Sequence, residues 1–208
     1  MKALTPAFSV NQSPRVEVLL QAASRSDIPI VVICSDQVLL QDKIAVSIRN
    51  GSFDEALTEI LGGTDYGFHV SSRGVIEVSS SRPNATAEAK LSTLRNDVTW
   101  DATMFSAMVW GRLQMQIDPA RKGFGGVLRV PEQDKMLPEE NFADVSVSDL
   151  LAWAASENKH IAWVIWPPPD VLKNTPQSNL WNLIFYAPKF ESPQKYCCLV
   201  LPKNKFVR

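Results

Sequence analysis

The two histidines of this chain are the side chains best suited to acid–base chemistry at neutral pH. His69 and His160 each fall in a segment with the alternation of a β-strand. A general base needs a partner within hydrogen-bond reach, and the sequence indicates none for either residue. We therefore rank a hydrolase that uses His69 or His160 last among the three functional interpretations considered below. We expect that the chain is not an enzyme.

Two pairs of adjacent carboxylates and one glycine-rich run favour structural roles. Asp54-Glu55 lies in the first turn of a predicted helix, where the positive end of the helix dipole favours acidic side chains. Glu139-Glu140 lacks the separated environments that a catalytic acid and base require. The run from Lys122 to Gly126 lacks the Lys-Ser/Thr ending and the following helix of a phosphate-binding loop. We therefore expect no catalytic residues.

The three cysteines, Cys34, Cys197 and Cys198, show neither the spacing of metal ligands nor that of a disulfide framework. Cys34 ends an apolar run and reads as a small buried hydrophobic residue. A disulfide between Cys34 and one of the other two stays open. We expect no metal and no cofactor.

Three tryptophans in the second half carry the main alternative to a docking function. Trp163 and Trp166 lie three residues apart, so that a strand directs them to opposite faces, and Trp181 falls near the predicted partner strand. Exposed tryptophans anchor protein interfaces or stack on sugars. These three residues are the tentative ligand or partner contacts of a carbohydrate-binding or cell-wall-binding module. The other interpretation is that the rings fill a core.

Composition limits the class of protein. The 208 residues include 45% hydrophobic and 21% charged residues, which is typical of a folded globular chain. The same fractions give no reason to expect a membrane-spanning segment. A formal net charge of -1 gives no basic footprint, so we expect no nucleic-acid partner. The N-terminus shows no apolar stretch typical of an export signal.

Helix and strand signals alternate through the first 80 residues. Ser13 and Pro14 predict the start of a helix that ends at Ser24, followed by a strand from Ile28 to Cys34. Alternating Ile44, Val46 and Ile48 predict a second strand. These elements begin an α, β, β, α, β, β order.

The second half of that order carries the sharper local signals. Ser52 and Glu55 form a capping-box pattern that starts a helix, and Gly62-Gly63 ends it. Tyr66 to Val70 then alternates as a strand, and a turn at Ser72 to Gly74 returns the chain as a hairpin from Val75 to Val78.

This part of the chain resembles the secretin and TonB short N-terminal domain (STN, or N0-type, domain) over about residues 13–80. The family pattern is a strand, a break, an "EAL" helix ending near Gly and Thr, an aromatic-rich strand, a turn and an "I-x-V" strand. The matching residues are Ser52, Glu55, Ala56, Leu57, Leu61, Gly63, Thr64, Tyr66, Gly74, Ile76 and Val78. The resemblance implies a periplasmic module that docks to other proteins and has no catalytic residues of its own.

A shift of 94 residues aligns the second half with the first. Ser52 maps to Ser146 and Glu55 to Asp149, with strands expected from His160 to Trp166 and from Leu180 to Tyr186. Upstream, Asp101 predicts a helix cap, and alternating Leu113, Met115 and Ile117 predict a strand. We therefore interpret the second half as a possible degenerate copy of the first.

The sequence predicts an α+β fold made of two small βαβ-type units, each with two helices packed on a short mixed sheet. The first domain covers 13–80, a linker covers 81–98, and a Trp-rich domain covers 99–208. We expect protein–protein docking or assembly in the bacterial cell envelope, in the periplasm. The alternatives are the carbohydrate-binding module, the hydrolase and a cytoplasmic location. The oligomeric state stays open.

Overall fold

A computed structural model describes residues 3–81, 95–100, 136–158, 162–166, 182–186 and 196–198. The elements up to residue 80 are β1 Leu4–Thr5, β2 Phe8–Pro14, α1 Arg15–Ser26, β3 Ile30–Ile33, α2 Val38–Gln41, β4 Lys43–Ile48, β5 Gly51–Ser52, α3 Phe53–Leu61, β6 Tyr66–Val70 and β7 Ile76–Ser80. The later elements are β8 Arg95–Trp100, β9 Glu140–Ser146, α4 Val147–Glu157, β10 Ala162–Trp166, β11 Asn182–Tyr186 and β12 Tyr196–Cys198. The chain is therefore mixed α+β, as the sequence predicts.

The largest sheet has six strands in the order β12-β11-β10-β3-β7-β6. Strand β3 is parallel to both of its neighbours, β7 and β10, whereas the remaining pairs are antiparallel. Two antiparallel hairpins, β6–β7 and β10–β11, thus lie on opposite sides of one short apolar strand. Parallel strands are usually covered on both faces, and this sheet follows the rule.

Helices α1 and α3 cover one face of the sheet. Alternate strand residues such as Ile30, Ile76 and Val164 share a buried cluster with the apolar faces of these two helices. The antiparallel pair β2–β4 packs on the same helices, with Phe8 and Ile48 in that cluster. The helices therefore lie between the six-stranded sheet and a two-stranded one.

Helix α4 covers the other face. It contacts β3, β9 and β10, and its Trp153 is fully buried. The ring of Phe142 on β9 meets the Trp153 ring edge-on, with 5.0 Å between the ring centroids. Val31 and Trp163, the residues of β3 and β10 that point to this face, are also buried. The second half of the chain thus supplies the second cover.

The capping and turn predictions are confirmed. Ser52 and Glu55 form a capping box at the start of α3, and Ser146 and Asp149 form another at the start of α4, at the positions given by the 94-residue shift. Gly63, after α3, has a φ of 75°, a left-handed conformation that glycine adopts at little cost. The hairpin β6–β7 is present as expected.

The predicted start of the first helix is wrong. Ser13 and Pro14 do not begin it, because they pair with Ile44 and Lys43 as the end of β2, and α1 begins at Arg15. The sequence interpretation also missed β2 itself, and it extended β3 to the flanking Ile28 and Cys34. The first two errors share one cause, since the β2–β4 pairing is a tertiary contact that local patterns do not encode.

The strand order separates the cysteines. Cys34 directly follows β3, whereas Cys197 and Cys198 lie in β12, three strands away across the sheet. Neighbouring strands are about 4.8 Å apart, so the separation is about 14 Å. Cα atoms joined by a disulfide lie within about 7 Å of each other. A disulfide between Cys34 and either of the others does not fit this fold.

Several predicted features lie outside the described residues. They are the helix cap at Asp101, the strand at Leu113, Met115 and Ile117, the glycine-rich run Lys122 to Gly126, His160 and Trp181.

Candidate functional site

Strand β6 is an edge of the six-stranded sheet. Among the described strands it pairs only with β7, in a register that sets His69 opposite Glu77 and Phe68 opposite Val78. An edge strand presents backbone N–H and C=O groups on its outer side, which another strand can pair with. The β6 edge is therefore the candidate docking site of this chain.

Two hydrogen bonds at the ends of the hairpin identify which backbone groups face outward. The Ser71 N–H donates to the Val75 carbonyl at 2.9 Å, and the Ser81 N–H donates to the Asp65 carbonyl at 2.6 Å. Opposed residues in an antiparallel pair alternate between bonded and non-bonded positions. Odd-numbered residues of β6 therefore bond to β7, and the N–H and C=O groups of Tyr66, Phe68 and Val70 point away from it.

The two faces of β6 differ in chemistry. On the face toward α1 and α3, Tyr66 is buried, Phe68 is partly buried against the core and Val70 is 45% exposed. On the opposite face, Gly67 and His69 are exposed. A Cβ built on Gly67 meets no atom within 4 Å, so the space above this glycine is open. The edge thus offers apolar side chains on one face and an open position beside an imidazole on the other.

A hydroxyl network anchors the start of β6. The backbone N–H groups of Ser35 and Asp36 donate to the Tyr66 Oη at 2.8 and 3.3 Å, and the Tyr66 hydroxyl donates to Asp36 Oδ1 at 2.9 Å. Burial raises the pKa of the Tyr66 hydroxyl, which keeps it protonated as a donor. The first residue of the edge is therefore fixed to the loop that follows β3.

A tight turn and an ion pair fix the other end of β6. The Gly74 N–H donates to the Ser71 carbonyl at 3.0 Å, and Gly74 has a φ of 74°. The Arg73 guanidinium lies 4.0 Å from the Glu140 carboxylate and 5.9 Å from the centroid of the Phe142 ring. Both partners belong to β9, so the tip of this hairpin lies against a strand from the second half of the chain. Contacts within the chain therefore position both ends of β6.

His69 has a carboxylate partner that the sequence interpretation missed. Its Nε2 lies 3.4 Å from Glu77 Oε2, and the His69 side chain is 60% exposed whereas that of Glu77 is 12% exposed. Burial raises the pKa of Glu77, the nearby His69 lowers it, and the nearby Asp149 of α4 raises it. A signal was available in the sequence: a turn centred on Arg73 pairs residues whose numbers add to 146, which are 69 and 77.

The prediction that three tryptophans contact a ligand or partner is wrong for Trp163, the one of the three whose side chain the structure describes. Trp163, proposed as a tentative contact, is fully buried on the face of β10 that α4 covers. It cannot stack on a sugar from that position, and the core-filling interpretation is the correct one for this ring. Trp166 ends β10, but its side chain is outside the description, as is Trp181 altogether.

The described side chains contain no assembled metal centre and no long apolar helix. Within the ranges given above, no three His, Cys, Asp or Glu residues come together as metal ligands. None of the helices described is long and apolar enough to cross a membrane. Beside the Tyr66 network, the described residues of β6 and β7 include the His69–Glu77 pair, with Asp149 near Glu77.

No protein-family model, curated protein or solved structure matches this chain.

Proposed function

We propose that this chain is a non-enzymatic docking or assembly module of the bacterial cell envelope, which binds a protein partner by strand addition at β6. The observation that carries the proposal is the outward direction of the backbone groups of Phe68 and Val70. The outward N–H of Tyr66 already donates to Thr64 Oγ1 at 3.2 Å. Main-chain hydrogen bonds supply the affinity in this mode of recognition, and alternate side chains supply specificity. The absence of a side-chain motif in the sequence is compatible with such a function.

The resemblance to secretin and TonB short N-terminal domains supports the envelope location. The residues that carry it have structural roles around β6: Ser52 and Glu55 cap the preceding helix, Gly63 adopts the left-handed turn, and Gly74 closes the hairpin. We infer a periplasmic location from this resemblance. In the family, the domain docks to assembly or regulatory components, and we propose a partner of that kind.

The proposed organisation is two small units, each with helices on a short mixed sheet. The two capping boxes at a spacing of 94 residues support it, as does the occurrence of a hairpin after each capped helix. Strand β3 of the first unit would then carry the hairpin of the second unit on its free side. The second unit would act as a support for β6 through Arg73 and α4.

The test is a pair of substitutions at Val70. Val70→Pro removes an outward N–H and adds a ring at the edge, whereas it leaves the bonds to β7 in place. Val70→Thr keeps the N–H and the preference for a strand, and is the matched control. Immobilised wild-type protein and the Thr variant should recover a membrane-assembly component from envelope extracts, and the Pro variant should recover at least about tenfold less, a loss of about 1.4 kcal/mol.

Two results would contradict the proposal. Equal recovery by the Pro and Thr variants would remove β6 as the docking site. Recovery of cytosolic proteins alone would remove the envelope location. Circular dichroism of both variants establishes that each is folded before the comparison is made.

A further inference from the structure

We propose that the strand added to β6 is β6 of a second copy of this chain, antiparallel about a twofold axis that passes beside Phe68. The inference rests on the proposed docking function, because it requires the β6 edge to be open for strand addition, and it names the occupant of that edge. A contact of this type is isologous, since the same surface is used on both copies.

The backbone of β6 is self-complementary in this register. The three residues with outward groups, Tyr66, Phe68 and Val70, are evenly spaced about Phe68. With Phe68 opposite Phe68 of the partner subunit, Tyr66 lies opposite Val70 of the partner subunit, and the reverse. The central Phe68 pair exchanges two N–H to C=O bonds. In each outer pair the Val70 N–H donates to the carbonyl of Tyr66 of the partner subunit, whereas the Tyr66 N–H already donates to Thr64 Oγ1 at 3.2 Å within its own chain. A shift by one residue would bring groups that already bond to β7 to the contact.

On the exposed face of β6, this register places a glycine of one copy opposite an imidazole ring of the other. The register places His69 of the partner subunit opposite Gly67, where the space above the glycine is open. An aromatic ring on a neighbouring strand that covers a glycine at an edge is a known stabilising device of sheets. The same glycine would leave a gap beside a small partner residue.

Charge is complementary across the same face. Asp65 lies on the side of Gly67 and His69, and it is exposed. The diagonal neighbour of Asp65 across the contact is His69 of the partner subunit, at the separation of about 7 to 8 Å that long side chains bridge. The twofold axis repeats this arrangement, whereas His69 does not lie opposite His69 of the partner subunit. The contact therefore brings Asp65 near His69 of the partner subunit, and no two residues of like charge lie directly opposite each other.

The apolar face of β6 gains cover in the same register. Val70, 45% exposed in the single chain, lies opposite Tyr66 of the partner subunit. The partly buried Phe68 lies beside its own copy. Aromatic and β-branched residues paired across strands stabilise a sheet. The residue types at 66, 68 and 70 are thus the ones that favour the contact.

The size of the contact predicts a weak dimer. The strand and its flanks, residues 65–71, supply seven residues a side, whereas a standard interface uses about 20 to 30. We therefore expect a concentration-dependent equilibrium between monomer and dimer.

The first experiment is sedimentation velocity of the full chain over a wide range of concentration. Wild-type protein and Val70→Thr should shift from monomer to dimer, and Val70→Pro should dissociate at least about tenfold more readily. A dimer that is equally stable in the Pro variant forms elsewhere and would overturn the inference. A wild-type chain that is monomeric at every concentration would overturn it as well.

The second experiment tests the register by cysteine cross-linking. Phe68→Cys places two thiols at a Cα separation of about 5.5 Å across the axis, within the range that a disulfide spans. Val70→Cys, the control, places them four residues apart along the strands, about 14 Å. Oxidation should give a covalent dimer of the first variant, above the background of the native cysteines seen in the second. Equal cross-linking of both variants would contradict the register.

The outcomes separate this inference from the function on which it rests. If the chain stays monomeric but Val70→Pro still fails to recover an envelope component, the occupant is an extended segment of another protein, and self-pairing is wrong while docking stands. If the chain dimerises through β6 and recovers no envelope component, the envelope function is wrong while self-pairing stands.

Discussion

The two hairpins that flank β3 differ in whether a further described strand pairs with the outer strand of the hairpin. In the second hairpin, β11 has β10 on one side and β12 on the other. In the first hairpin, β6 has β7 on one side and no described strand on the other. Unpaired edges favour aggregation, and proteins often cover or charge them. Among the described strands, β6 and β12 are the two edges of this sheet, and β6 is the edge whose side chains the structure describes. It is therefore the edge for which we propose strand addition.

One row of residues across the sheet shows the same difference in side chains. The row runs across four neighbouring strands, and each member is paired with the next: Trp163 of β10, Val31 of β3, Glu77 of β7 and His69 of β6. The row passes from a buried indole and a buried aliphatic side chain to a largely buried carboxylate and then to an exposed imidazole. On this face of the sheet, burial therefore decreases from Trp163 of β10 to His69 of β6.

The largest effect should come from the core end of this row. Trp163→Ala removes a fully buried ring and should lower the free energy of unfolding by about 3 to 5 kcal/mol. His69→Ala at the other end should change it by at most about 0.5 kcal/mol. Urea unfolding measures both. A similar loss in the free energy of unfolding for the two variants would contradict the difference in burial between Trp163 and His69.

Proline substitution distinguishes the two sides of β6. His69→Pro removes an N–H that bonds to β7 and should cost about 2 kcal/mol, because the carbonyl left behind loses its partner. Val70→Pro, one residue later, removes an outward N–H and should cost about 0.5 kcal/mol or less. Thermal unfolding of the two variants measures the difference. A reversed order would show that the alternation of backbone groups is assigned to the wrong residues.

The two capping boxes test whether the helices on the two sheet faces are equivalent. Ser52→Ala and Ser146→Ala should each lower the free energy of unfolding by about 1 kcal/mol, because each serine accepts a bond from the first turn of its helix. The two costs should add in the double variant, since the sites share no partner. Chemical denaturation of the three variants gives the values, and a cost at Ser52 alone would break the parallel.

The smallest effect concerns the buried carboxylate beside the open strand. The pKa of Glu77 is raised above its ordinary value of 4.5, mainly by burial. The native state therefore holds this proton more tightly than the unfolded state, so the Glu77 contribution to stability falls as pH rises from 4.5 through the raised pKa. Glu77→Gln should remove that part of the pH dependence. Parallel curves of melting temperature against pH for the two proteins would contradict the assignment.

Local signals in the sequence predict the parts of the fold that local chemistry determines. Ser52 and Glu55 cap a helix because the two side chains satisfy backbone N–H groups within one turn. Gly63 and Gly74 mark turns because their φ angles are positive. The hairpin between them follows directly. The parts that surround β6 were therefore within reach of the sequence.

The missed features depend on pairings between distant residues. The parallel pairing of Val31 with Trp163 joins positions 132 apart, and nothing in either strand specifies that partner. The burial of Trp163 and the strand order that leaves β6 at an edge both follow from it. The direction of the backbone groups of β6 differs from these features, because it depends on the hairpin register, which the turn centred on Arg73 indicates.

Amide hydrogen exchange measures directly whether the outer side of β6 is a pairing surface. In dilute protein, the N–H groups of Phe68 and Val70 should exchange quickly, whereas those of Gly67 and His69, bonded to β7, should be protected. When the protein is concentrated, or when an envelope partner is added, Phe68 and Val70 should become protected. Protection that never changes at these two amides under either condition would contradict the account.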